Sequence, residues 1–167
     1  MMADEHLATY LKDHMAGSIA AVELLRHLEA AHDETPIGSF AAGLRAEIEA
    51  DRQELQSLME RLDVDESRLR KASAWLGGKF AELKLRLEDR SAGDLQLLES
   101  LEVLSLGIEG KHGLLRALAA AAQDAPSLQV ADCERLAQRA VEQRNLVEGM
   151  RLEAARKPSV PGSPAAS

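Results

Sequence analysis

Asp51, Glu109, His112 and Arg144, with His14 and Ser18 close by, are the residues whose types and spacing can do chemistry in this chain. At helical spacing they share faces with Leu25, Leu55, Ile108 and Val147, where a charge is stable only if it is paired, hydrogen-bonded or bound to a metal. Two chemistries follow from those residue types. Carboxylates gathered with imidazoles make a ligand set for iron or manganese, drawn here from His14, Glu47, Asp51, Glu109 and His112. Carboxylates gathered around an arginine make instead a closed network of ion pairs and hydrogen bonds, because the guanidinium fork brings the charge that a metal would bring. Ser18, His14 and Asp51 are also the residue types of a nucleophilic triad. Uninterrupted helices give such a triad neither an exposed nucleophile nor an oxyanion hole, so no hydrolase is expected.

The elements that position these residues are helices. Apolar residues are 46% of the 167-residue chain and aromatics only 2%, so the core is built from Leu, Ala, Ile, Val and Met, a balance that favours long helices. Periodicity predicts five segments. The first runs from about Asp4 to Ala31, and Pro36 then disfavours helix at Thr35. The second, about Gly38 to Leu62, carries Phe40, Leu44, Ile48, Leu55 and Met59. A third, about Glu66 to Leu87 and capped by Asp63 or Asp65, is interrupted by Gly77-Gly78. The fourth covers about Asp94 to Ala122 and the fifth about Val130 to Arg156. Residues 1–156 are thus expected to form one helical-bundle domain, and residues 157–167, rich in Pro, Ser and Ala, a disordered tail.

Segments one, two, four and five each reach on the order of 36 to 42 Å. Four similar helices and one odd one predict an all-α four-helix bundle of two hairpins, the third segment returning the chain from one end to the other. Glu109-Gly110-Lys111-His112 on the fourth segment is a Glu-x-x-His. In plan and in this motif the chain, over roughly Asp4 to Arg156, resembles the ferritin-like superfamily, whose di-iron centres take a Glu from one helix of each hairpin and a Glu-x-x-His from the other. The resemblance implies a bundle with an additional crossover helix and a polar centre at mid-length. The residues depart from the family's ligand set, since no His follows Asp51, the fifth segment has no His, and Glu23 lies on the outward side of the first.

The expected centre is therefore His14, Ser18, Asp51, Glu109, His112 and Arg144 as a buried network, with no metal or other cofactor. The expected function is a structural or interaction role without enzymatic activity, the protein partner unidentified and a homodimer compatible with the small-residue faces at Gly107 and Gly110. An atypical iron- or manganese-binding carboxylate protein is the alternative. A net charge of −8 and a pI near 5.2 give no basic footprint for nucleic acid or an anionic membrane. No apolar run is long enough to span a bilayer, and the opening Met1-Met2-Ala3-Asp4-Glu5-His6 does not read as a signal peptide, so a cytoplasmic protein is expected. The single cysteine, Cys133, shares a face with Leu136 and Ala140 and reads as a small core residue.

Overall fold

The computed structural model describes residues 2–64, 93–122, 124 and 128–156, with the side chains of residues 2–4 outside the description. Among these residues there are four helices and no strand: α1 (Met2–Ala31), α2 (Pro36–Arg61), α3 (Gly93–Ala121) and α4 (Val130–Arg156). The expected third segment and the tail lie outside the described residues.

Local chemistry sets the helix ends. Thr35, in an extended conformation, caps α2 by accepting from the Gly38 amide at 3.2 Å, while its hydroxyl donates to the His32 carbonyl at 2.6 Å. Pro36 then sits inside the first turn, where its missing N–H costs nothing, so α2 starts ahead of the expected Gly38. The turn is tight enough to require glycine at position 38: a Cβ there would lie 2.2 Å from the His32 carbonyl oxygen. At the other end of α2, Asp63 adopts φ 54°, its amide donates to the Glu60 carbonyl at 3.1 Å and the Val64 amide donates to Met59 at 3.0 Å. This pair of bonds is the Schellman closure, which satisfies the last carbonyls of the helix. Asp63 thus ends α2.

α1 and α2 form one hairpin and α3 and α4 another, with α1 packed on α3 and α2 on α4. Across α2 and α4, Arg61 faces Asp132 at one end, and Gln143 reaches Glu47 farther along, so these two helices are antiparallel. Because α4 is also antiparallel to α3, helices α2 and α3 run in the same direction. The start of α3 therefore lies at the opposite end of the bundle from the end of α2.

The apolar interior divides along the bundle axis. One cluster, at the end where α2 and α3 begin, contains Leu24, Leu25, Leu28, Leu44, Ile48, Leu97, Leu101, Leu104, Ile108 and Val147. The other, at the end where α2 and α3 stop, contains Leu11, Met15, Leu55, Leu58, Met59, Leu114, Leu118 and Cys133. As expected, Cys133 is buried, and burial followed by the neighbouring Asp132 pushes its thiol above the ordinary range. Partly exposed ion pairs lace the first hairpin, Arg45 to Glu29 at 3.0 Å and Arg26 to Glu49 at 3.3 Å. Solvent-screened pairs of this kind add little, so the apolar interior carries the stability.

Leu55→Ala and Leu101→Ala, one in each cluster, should each lower the free energy of unfolding by about 2 to 5 kcal/mol in urea titrations. A loss below about 1 kcal/mol at both positions would contradict the division of the core.

Candidate functional site

Between the two apolar clusters lies a polar layer whose centre is Asp51, only 6% exposed. Asp51 is on the inward seam of α2, three residues after Ile48 and four before Leu55. Its Oδ2 accepts from Lys111 Nζ of α3 at 2.6 Å and from Gln143 Nε2 of α4 at 3.0 Å. Lys111 also donates to Gln143 Oε1, and Gln143 Nε2 makes a further bond to Glu47 Oε2 at 3.1 Å. The amide of Gln143, 1% exposed, thus turns its oxygen to the ammonium and its nitrogen to the two carboxylates, and all its polar atoms are used.

Asp51 Oδ1 completes the layer. It lies 2.8 Å from Arg139 Nη2, a charge contact whose direction falls short of a hydrogen bond and leaves this buried oxygen without a hydrogen-bond donor. Arg139 also reaches Glu54 Oε1 at 3.0 Å, and Arg135 binds the same carboxylate. The Arg135 hydrogen bond, with its charge and that of Arg139, holds the Glu54 carboxyl below the usual range despite some desolvation. Burial lowers the Lys111 ammonium from its ordinary value against the pull of Asp51. The layer therefore links α2, α3 and α4 through alternating charges.

The sequence-predicted residues divide between this layer and the surface. Asp51 is at the centre as expected, and Glu47 joins through Gln143. Arg144 and Glu109 do not: they pair with each other at 3.1 Å with 49% and 53% of their side chains exposed. His112 sits beside Glu109, its Nδ1 3.6 Å from the carboxylate, on the same flank of α3. The correction has a geometric cause. On α4 the inward seam is Leu136, Ala140, Gln143 and Val147, and on α3 it is Leu104, Ile108, Lys111 and Leu115, all buried or mostly buried. Arg144 follows Gln143 by one residue, about 100° around α4, and is carried to the surface, while His112, 23% exposed, stays at the opposite edge of the α3 seam from Lys111 and turns to Glu109 rather than to Asp51. Alternating steps of three and four residues from Leu97 and Leu136 would have found Lys111 and Gln143.

His14 and Ser18 do lie on the inward side of α1, but outside the network. The Ser18 hydroxyl donates to the Met15 carbonyl at 2.6 Å, and the His14 ring packs edge-on against Tyr10 with centroids 4.8 Å apart. The hairpin register fixed by Arg26–Glu49 and Arg45–Glu29 brings Asp51 level with Leu24, about two turns beyond Ser18. Among the described residues no three His, Cys, Asp or Glu side chains are grouped to hold a metal ion. No described helix is long and apolar enough to cross a membrane. In comparisons with known proteins, no family model, no curated protein and no solved structure matches the chain.

Two outcomes test this layer. Lys111→Met should leave Asp51 buried with Arg139 as its remaining cation, at a cost of about 3 kcal/mol, and Lys111→Met combined with Asp51→Leu should recover part of it. Arg144→Met should cost only about 0 to 1 kcal/mol, because its pair is exposed. Urea unfolding at neutral pH measures all three variants, and equal costs for Lys111→Met and Arg144→Met would contradict the placement. The second test is pH. Burial holds the His14 imidazole below its ordinary 6.5, the smaller effect of Asp13 opposing, so in that range the unfolded chain binds more protons than the folded one. Stability should therefore fall as pH drops below about 6.5, and His14→Gln should flatten this part of the curve.

Proposed function

We propose that the chain is a ferritin-like helical bundle in which an ion-pair network replaces the metal centre, and that it acts as a structural or interaction protein without catalytic chemistry of its own. The observation that carries this reading is the Lys111 ammonium on Asp51, the most buried carboxylate of the polar layer. A cation already occupies the position from which Asp51 would ligate a metal, and a second positive ion beside it would be repelled. The order hairpin, return, hairpin, with α2 and α3 parallel, supports the ferritin-like plan. The Glu109-x-x-His112 motif supports the ancestry of that plan more than its chemistry, because Glu109 is half exposed, pairs with Arg144 and holds His112 at its side, and neither residue bonds to Asp51. The polar layer then specifies helix register, and recognition is left to the outer surfaces.

The test is a titration of the chelator-treated full chain with ferrous and with manganous ion. An ion held at a hundred times its dissociation constant would add about 2.7 kcal/mol, on the order of 5 to 10 °C in melting temperature for a chain of this size. The expected result is no stoichiometric binding and a shift under about 2 °C. One or two tightly held ions per chain would replace this reading with that of a metal-carboxylate protein.

A further inference from the structure

The packing of α1, α2 and α3 leaves a cavity of about 470 Å³ on the inner side of the bundle. Its size lies within the roughly 300 to 1,000 Å³ typical of small-molecule sites. Most of its wall is apolar, including Ala21, Leu24, Ile48, Leu55, Leu104 and Ile108, and the Asp51–Lys111 pair forms a polar end. Gly17 of α1 and Gly107 and Gly110 of α3 border it. Among the described residues, a Cβ at Gly17 or Gly107 would meet nothing within 4 Å, and one at Gly110 would come only to 3.7 Å from His14 Cε1. No close approach of α1 to α3 explains these glycines, each of which costs a helix interior up to about 1 kcal/mol relative to alanine. What they provide is open space.

The charges on the wall decide what the space can hold. Among the described residues Asp13, Asp51, Arg52 and Lys111 line it, two of each sign, while His14 and Tyr10 add polar edges. The cavity opens to solvent past Tyr10 and Val103, but at its Asp51–Lys111 end an ionised head of either sign would bring an uncompensated charge among buried groups. An ammonium has three donors, and Asp51 and Gln143 take two of those on Lys111. One donor remains for an uncharged acceptor.

We propose that this cavity binds a neutral, mainly aliphatic molecule with a single hydrogen-bond acceptor, of the class of long-chain alcohols and ketones, its acceptor at Lys111 and its chain along the apolar wall between α1 and α3. The site goes beyond the structural role proposed above and depends on that reading only for its polar end.

The experiment uses the full chain at neutral pH in the presence of chelator, so that its outcome is separate from that of the metal titration. The probe is N-phenyl-1-naphthylamine, an uncharged dye that fluoresces in apolar surroundings, and the competitors are 1-decanol, decanoate and decylammonium. The expected result is one saturable dye site per chain, from which decanol displaces the dye at about tenfold lower concentration than either ion, a difference of about 1.4 kcal/mol. Gly107→Leu and Gly17→Leu fill the space and should each weaken dye and decanol binding by about tenfold or more while the melting temperature is kept or raised. The pair Lys111→Met with Asp51→Leu should keep the dye site and abolish the preference for decanol over the ions. Absence of a saturable site, or binding unchanged in both glycine variants, would overturn the cavity as a site. Displacement by decanoate or decylammonium at concentrations equal to or below those of decanol would overturn the neutral ligand.

Discussion

The contact between Lys111 and Asp51 is the constraint on which the rest of the bundle depends. Either group alone in that position would be a bare charge among leucines, costing several kcal/mol. Together they are tolerated, provided that α2 and α3 keep their relative height to within the reach of one hydrogen bond. Gln143 extends the same requirement to α4, since its amide must face the ammonium and the two carboxylates at once. A leucine in each of these places would pack at several heights. A lysine, an aspartate and a glutamine that satisfy one another do so at one, so the layer contributes registry more than net stability.

That registry has a visible effect on the core. Among the described residues the apolar interior has two large clusters, one on either side of the layer and each drawing residues from all four helices, and a small one of Leu115, Leu136 and Ala137 between α3 and α4. Sliding α2, α3 or α4 by one turn would carry a polar group of the layer into a cluster and leave its partners bare. α1 is the exception in this scheme, because none of its inward polar residues bonds to the layer: Ser18 bonds within its own helix, His14 packs on Tyr10, and the buried Lys12 lies farther along, beside Leu11. The cavity lies against this same helix, where the constraint from the polar layer is absent.

Much of the architecture is legible in the residue order, and the reasons differ by element. α4 runs over Val130–Arg156 as its periodicity predicts, because no proline interrupts its pattern and its single glycine, Gly149, is too weak a breaker to end it. α2 begins earlier than predicted because Pro36, a helix breaker by its effect on the preceding residue, is at home in the first turn once Thr35 caps it. The centre is harder to read. Asp51 is plain because it interrupts an otherwise apolar seam, whereas Lys111 is masked by the more suggestive His112 beside it and Gln143 by the charged Arg144. A residue's chemical appeal and its angular position are independent, and one step along a helix turns the side chain by about 100°. The sequence pattern offers Lys111 and Gln143 once the three-and-four spacing is followed strictly, but no pattern in one helix announces that they meet at Asp51.

Cys133 carries a consequence for how this protein responds to oxidants. The chain has one sulfhydryl, buried within the half of the core that Leu11, Met59 and Leu118 occupy, and its surroundings keep it in the protonated, unreactive form. A disulfide between two copies, or capture of the thiol by glutathione, requires that half of the bundle to open first. The rate of such a reaction is then governed by the opening equilibrium of one end of the molecule, while the other end, beyond the polar layer, has no thiol that would register its own opening. Thiol oxidation and loss of fold are thereby coupled at one pole of the bundle and separate at the other.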